Sequence, residues 1–149
     1  MAVIGLAGLT ELAALPYQHL LTLPTMPSAV RVARETAELA LAEWGISAAV
    51  RHPVTDPALL ILSELVTNSV RHASALSSQI TIMYAASRDT FAFGVHDRHP
   101  YQPPLYGAMT GGGSGLATVV QLTLELAGTA GVRQDADGGG KSIWVTLPL

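Results

Sequence analysis

The sequence contains no cysteine, few aromatic residues and no cluster of positive charge. Without cysteine, disulfides, thiolate catalysis and cysteine-ligated zinc are excluded. Aromatic residues make up only 5% of the chain, which leaves little of the stacking surface that binds single-stranded nucleic acid. The net charge is −3, and the 8 Lys and Arg residues are scattered along the 149 positions. The positive footprint of a DNA or RNA binder is therefore missing, and we expect no nucleic-acid partner.

The sequence also lacks the segments that direct a chain into a membrane. No apolar run reaches the ~18 residues that a membrane-spanning helix needs. The N-terminal stretch has no basic region and carries Glu11, which is not typical of a signal peptide. Hydrophobic residues nevertheless make up 49% of the chain, and the mean hydropathy is +0.37. These values indicate a folded core, and we expect a cytoplasmic protein with no membrane partner.

The order of the predicted elements indicates a single α/β domain over residues 17–149, preceded by an arm or short helix at 1–16. Hydrophobic periodicity predicts strands at 17–23, 79–85, 90–97, 130–135 and 142–148, and helices at 28–44, 57–73 and 113–128. Thr55 or Asp56 is predicted to cap the second helix, with Pro57 at its first position. Two strand pairs read as hairpins. We therefore expect an α+β two-layer sandwich, in which helices cover one face of a mixed, mostly antiparallel sheet.

Residues 138–142 spell GGGKS, which is the end of a phosphate-binding P-loop. A P-loop also needs a glycine five positions before Gly140, where Asp135 stands, and a helix after the serine. Residues 143–147 instead have the β-branched and aromatic composition of a strand. Both requirements fail, so these glycines predict a hairpin turn.

One face of the second helix carries polar side chains. Glu64, Asn68 and Arg71 stand at i, i+4 and i+7, with His72 beside them, whereas the other faces are apolar. Two interpretations are open. The polar side chains pair with one another at the surface, or the stripe faces a cavity or a partner because the helix is largely buried.

Two further features lie beyond this helix. Asp97 continues the apolar face of the strand at 90–97, and it is either a loop cap or a carboxylate kept for the amino group of a ligand. A Pro/Gly-rich loop follows at 98–112, and the glycines of the GGGSG stretch at 111–115 then enter the third helix. Free N–H groups at a helix start favour an anion, although a flexible hinge is the alternative.

Together, four segments resemble the GHKL family of ATP-binding domains. They are ELVTNSVRHA at 64–73, VHD at 95–97, GGGSGLATV at 111–119 and GGKSIWV at 139–145. The family includes histidine-kinase catalytic domains, gyrase, Hsp90 and MutL, and its fold is the Bergerat fold. Within it, the chain most resembles the small bacterial anti-sigma-factor serine kinases of the RsbW/SpoIIAB type, over about residues 20–149.

The resemblance implies a role for each matching residue. Asn68 matches the asparagine that coordinates Mg²⁺ between the ATP phosphates, and Glu64 matches the catalytic general base. Asp97 matches the aspartate that accepts a hydrogen bond from the adenine amino group. The other implied ATP contacts are Arg71, the glycine box of Gly111, Gly113 and Gly115, the backbone amide of Leu116 and, more weakly, the hydroxyl of Ser142.

The resemblance also implies an activity. It suggests a Mg²⁺- and ATP-dependent serine/threonine kinase that phosphorylates an antagonist (anti-anti-sigma) protein and sequesters a sigma factor, and it allows a homodimer. A nucleotide-binding regulatory module without effective catalysis is the second interpretation; the presence of Glu64 favours the kinase.

The sequence departs from the family pattern at two places in the candidate site. Arg98 and His99 follow Asp97 where the family has D-x-G-x-G, and Lys141 stands where the family usually offers a threonine.

Overall fold

The computed structural model describes residues 14–100 and 116–149, which form a five-stranded sheet with helices packed on one face. In chain order the elements are β1 (Tyr17–Pro24), α1 (Ser28–Glu43), α2 (Thr55–Ala73), β2 (Gln79–Ala86), β3 (Thr90–Asp97), α3 (Leu116–Glu125), β4 (Thr129–Gln134) and β5 (Lys141–Pro148). The strands lie in the order β1-β2-β3-β5-β4. None of the helices in the described ranges combines the length and apolarity that a membrane crossing requires.

The predicted α+β two-layer sandwich is confirmed. The sheet was expected to be mixed, but every pairing of the described strands is antiparallel. Two of the pairs, β2–β3 and β4–β5, are the predicted hairpins, and the segment that contains α1 and α2 joins the antiparallel strands β1 and β2. Most of the predicted arm, residues 1–13, lies outside the described part of the chain.

The predicted cap of α2 is wrong. Val54 occupies the N-cap position and supplies no side-chain cap, and Thr55 is already helical. Asp56 lies in the first turn, where its carboxylate meets Arg51 Nη2 at 2.6 Å. A negative charge in the first turn also suits the positive end of the helix dipole, so Asp56 supports the helix start without capping it.

The main core lies between the helices and one face of the sheet. The strands contribute alternate residues to it, namely Ile80, Ile82, Tyr84, Phe91, Phe93, Val95, Ile143, Val145 and Leu147. Small residues such as Ala33 and Ala37 line the buried side of α1, and the Tyr84 hydroxyl donates a hydrogen bond to the Ala33 carbonyl at 2.8 Å. Because side chains alternate along β3, the residue after this apolar series on the same face is Asp97.

The opposite face of the sheet carries a smaller cluster around Trp144. This indole packs against Ala85 and Ala92, and it also lies across the backbone of Gly94. A Cβ atom added at Gly94 would lie 2.5 Å from Trp144 Cε3, which is closer than side chains tolerate. Gly94 therefore provides the space in which the ring lies.

We expect Gly94→Ala to lower the free energy of unfolding by about 1–3 kcal/mol, because the indole must move from its packed position. The same change in a Trp144→Leu background should cost clearly less, since the smaller side chain leaves room for the methyl group. Urea unfolding of the four proteins in this cycle measures both values. An equal cost in both backgrounds would show that contact with Trp144 is not the reason for glycine at this position.

Candidate functional site

The polar face of α2 has no partner in the described part of the protein. Asn68 is buried, with 9% of its surface exposed, whereas Glu64 is half-buried and Arg71 is exposed. No hydrogen bond or ion pair joins these three side chains to one another or to any other described residue. Mutual pairing at the surface is therefore wrong. The Asn68 amide is not among the buried side-chain groups that lack a partner, so it remains open to a ligand although most of the residue is buried.

The neighbouring residue, Ser69, connects α2 to the sheet. Its hydroxyl is buried and donates a hydrogen bond to Asp97 Oδ2 at 2.7 Å. Because Asn68 and Ser69 are consecutive on the helix, the Ser69 contact places the Asn68 backbone close to the end of β3. Glu64 lies one helical turn before Asn68, a spacing that brings the two Cβ atoms to about 5–6 Å. Glu64, Asn68 and Asp97 thus belong to one region.

Asp97 is the most heavily bonded side chain of this region. It is 1% exposed, and its carboxylate accepts hydrogen bonds from Ser69, from Lys141 Nζ at 2.7 Å and from the His99 N–H at 3.0 Å. The bond from His99 caps the loop after β3. Asp97 is therefore a loop cap, and it is also half of a buried ion pair that the sequence analysis did not anticipate.

Lys141 and Ser142 lie on opposite faces of the sheet. Lys141 is directly opposite Asp97 in the strand register, on the face that Ile143 and Val145 share with the core. Ser142 lies opposite His96 and Arg133, on the face that also carries Trp144. The structure therefore brings Lys141, and not Ser142, to Asp97. Strand alternation separates the Ser142 hydroxyl from the rest of the candidate site.

The GGGKS segment is a hairpin turn, as predicted, with Gly138 at φ 73°. Arg98, which follows Asp97 in place of the family pattern, holds this turn. Its guanidinium contacts Asp135 Oδ2 at 2.6 Å and Asp137 Oδ2 at 2.9 Å, and His96 Nε2 also meets Asp135 at 2.8 Å. Within the described ranges no group of His, Cys, Asp or Glu could hold a metal ion, and His96 serves the turn.

The charges around the turn favour ionised carboxylates. Burial opposes ionisation of Asp135, but hydrogen bonds from His96 and Arg98 outweigh it, so that the pKa of Asp135 is below its ordinary value. The hydrogen bond from Arg98, with a further one from the Gly139 N–H, lowers the pKa of Asp137. The same two carboxylates raise the pKa of Arg98. The turn is thus fixed to the end of β3 by charge-assisted hydrogen bonds.

The predicted phosphate-binding segment is described only from its last residue onwards. Gly111, Gly113 and Gly115 lie outside the described residues. Leu116 is the first residue of α3, and its side chain is buried in the core. Backbone N–H groups in the first turn of a helix have no intrahelical acceptor, so the amide of Leu116 is available in principle to an anion.

Comparison with known proteins identifies the family. The family model described as "Histidine kinase-, DNA gyrase B-, and HSP90-like ATPase" matches residues 54–149. This chain belongs to that family of ATPases, and the predicted GHKL membership is confirmed. The match covers α2 and every element that follows it, and therefore includes each candidate site residue. No curated protein matches the sequence.

Solved structures of known proteins share the fold. The chain is similar to the RsbU and RsbW domains of Rv1364c from Mycobacterium tuberculosis, with a TM-score of 0.63 and 22% identity over 89% of this chain and 33% of that one. It is also similar to the histidine kinase domain of a blue-light activated histidine kinase from Erythrobacter litoralis, with a TM-score of 0.54 and 20% identity over 85% of this chain and 62% of that one. The histidine kinase AdeS of Acinetobacter baumannii gives a TM-score of 0.52 and 18% identity over 95% of this chain and 72% of that one. The chain spans about a third of the length of the Mycobacterium structure.

We expect Lys141→Met to lower the free energy of unfolding by about 3–5 kcal/mol, because it leaves the Asp97 carboxylate buried without its counter-charge. The double variant Lys141→Met/Asp97→Asn should recover most of this loss, since it removes both charges. Chemical denaturation at neutral pH provides the comparison. If the double variant were as unstable as the single one, the ion pair would not explain the loss.

We expect the pairing at the turn to make stability depend on pH in the acid range. The unfolded carboxyl has an ordinary pKa of 3.8, and the folded pKa of Asp135 is lower. Its contribution is therefore present above about pH 4 and is lost as the pH falls through the folded value. Between neutral pH and about pH 3, Asp135→Asn should lose slightly less stability than the wild-type protein. Glu43→Gln is the control, because it changes an exposed carboxylate without an ion pair in the described ranges, and its stability should vary with pH like that of the wild-type protein. Identical pH dependence of the wild-type protein and both variants would show that the ion pairing of Asp135 does not affect stability.

Proposed function

We propose that this chain binds ATP with Mg²⁺ between α2 and the adjoining ends of β3 and β5, and that it acts as a serine/threonine protein kinase in a regulatory system. The observation that carries the proposal is the Asn68 side chain, which is largely buried, has no hydrogen-bond partner among the described residues and lies within the family-matched region of an ATPase. A ligand that supplies the missing contact must reach the same region as Asp97, since Ser69 joins the two residues.

The available donor groups suit magnesium. Mg²⁺ usually takes one or two protein oxygens and completes its octahedron with waters and substrate phosphates. Asn68 would hold it through the amide oxygen, with ATP phosphates and water at the other positions. The described residues offer no cluster of carboxylates and histidines that would form an all-protein cage. This arrangement fits an ion that arrives with the nucleotide.

The roles of the chain's own residues follow from their positions. Bound Mg²⁺ and ATP would supply the phosphoryl group and neutralise its developing charge. Asn68 would hold the Mg²⁺ that accompanies the phosphates, and Glu64, one turn away, would accept the proton of the attacking hydroxyl. The half-buried Glu64 carboxylate has no ion pair in the described part of the chain, so it is free to accept that proton. The amide of Leu116 would donate to the phosphates, together with the glycine box of Gly111, Gly113 and Gly115, and Arg71 would add positive charge nearby.

The proposed substrate is a protein hydroxyl. Similarity in fold to a structure that contains an RsbW domain supports a partner-switching role, in which the chain phosphorylates an antagonist protein and, as an anti-sigma factor, binds a sigma factor. We place this activity in the cytoplasm of a bacterium. The histidine kinases among the similar structures share the same fold, so the phosphate acceptor must be identified by experiment.

A regulatory module that binds nucleotide without effective catalysis is the second candidate function. The observation in its favour is the structure after Asp97. Arg98 occupies the position of the family's glycine pattern and is tied to Asp135 and Asp137. The segment after Asp97 therefore lacks the backbone freedom of a glycine pattern, which favours a site that holds nucleotide over one that must move during turnover.

We expect Asn68→Ala to weaken binding of ATP in the presence of Mg²⁺ by about tenfold or more, because it removes the proposed metal ligand. Isothermal titration calorimetry measures the affinity. Gln121→Ala removes an exposed amide on α3 and should bind ATP like the wild-type protein. If the wild-type protein bound no ATP with Mg²⁺, the proposed function would be wrong.

The two candidate functions are distinguished by Glu64→Gln. For a kinase, this variant should keep ATP affinity while phosphate transfer to a purified antagonist protein falls roughly 10²- to 10⁴-fold, since the general base is lost. Transfer from radiolabelled ATP measures the rate. If the wild-type protein bound ATP but transferred no phosphate to any candidate antagonist, the binding module would be the better description. Transfer unchanged in the variant would exclude Glu64 as the base.

A further inference from the structure

The Lys141 ammonium group is buried with unused hydrogen-bond donors. Lys141 is 4% exposed, and its one side-chain hydrogen bond to a described residue is the bond to Asp97 Oδ1. An ammonium group carries three N–H donors. Two of them have no acceptor among the described residues, although a buried cationic donor without an acceptor is costly. A bound molecule with an acceptor atom at this position would satisfy Lys141.

The Asp97 carboxylate, in turn, has an unused hydrogen-bond acceptor position. A carboxylate offers about four lone-pair positions, two on each oxygen. Lys141 and the His99 N–H use both positions on Oδ1, and the Ser69 hydroxyl uses one on Oδ2. One acceptor position therefore remains, on Oδ2. Asp97 can accept a single further hydrogen bond without losing any of its present partners.

An acceptor and a donor thus lie side by side at the ends of β3 and β5. Lys141 Nζ and Asp97 Oδ1 are 2.7 Å apart, and the two residues are partners in the strand register. The edge of adenine presents the complementary pair, an amino group that donates and the adjacent ring nitrogen N1 that accepts. Guanine also presents an acceptor next to a donor, O6 beside N1–H, so this pair of side chains does not by itself tell the two bases apart; the adenine assignment follows the proposed binding of ATP.

We propose that Lys141 is a base-reading residue, whose ammonium group donates to N1 of adenine while Asp97 accepts the adenine amino group. This inference rests on the proposed binding of nucleotide, and it adds the residue that contacts N1 of the base. Lys141 also holds the carboxylate of Asp97 in its orientation. The Ser69 contact places this reading edge beside Asn68, so base and phosphates are recognised by neighbouring parts of α2 and the sheet.

The test compares ATP with 1-deaza-ATP, in which a C–H group replaces N1, by calorimetry with Mg²⁺ on the whole chain. The wild-type protein should bind the deaza analogue about tenfold or more weakly than ATP, since one charged donor loses its acceptor. Lys141→Met should bind both nucleotides with the same, reduced affinity. Arg133→Met removes an equal charge from an exposed position on the other sheet face, and it should discriminate like the wild-type protein.

Several outcomes would overturn the inference. They are equal affinity of the wild-type protein for ATP and 1-deaza-ATP, tighter ATP binding by Lys141→Met, and a preference of the wild-type protein for GTP. The first outcome decides the question even if Lys141→Met does not fold. Binding of ATP that Asn68→Ala weakens, without discrimination at N1, would leave the proposed function intact and remove only the role of Lys141. Absence of all nucleotide binding would overturn both.

Discussion

The buried ion pair between Asp97 and Lys141 is the interaction on which the candidate site depends. It joins the last residue of β3 to the first residue of β5, and Ser69 adds α2 to the same carboxylate. Three elements therefore meet at one side chain. A buried pair of this kind contributes little net stability, because desolvation offsets the attraction, but breaking it is expensive. Its main effect is to fix where the helix carrying Glu64 and Asn68 lies relative to the sheet.

A second set of charges holds the other face of the same strand ends. Because side chains alternate along a strand, His96 and Arg98 point away from Asp97 and reach Asp135 and Asp137 in the glycine turn. The turn before β5 is thus held by ion pairs on both faces of the sheet. The ion pairs on both faces keep Lys141 in register with Asp97, and they therefore hold in place the two side chains that are proposed to contact the base. GGGKS contributes its lysine to this pair and does not form a phosphate loop.

Local residue patterns in the sequence predicted most of the fold and part of the candidate site. Helical spacing and strand alternation predicted the hairpins, the helices and the polar face of α2, because each of these signals lies within a few neighbouring residues. The contacts of Asp97 could not be predicted in this way. Ser69 is 28 residues from it in the sequence and Lys141 is 44 residues away. Only the packed structure shows that Lys141 is bound to a buried carboxylate. The cap of α2 was missed because residues of the preceding loop, Val54 and Arg51, take part in the helix start.

The most direct test of the account is a crystal structure of the chain with Mg²⁺ and a non-hydrolysable ATP analogue. We predict that the adenine amino group lies within hydrogen-bond distance of Asp97 Oδ2, with N1 next to Lys141 Nζ and Mg²⁺ next to the Asn68 side-chain oxygen. A nucleotide bound elsewhere, with Asp97 and Asn68 uncontacted, would contradict it.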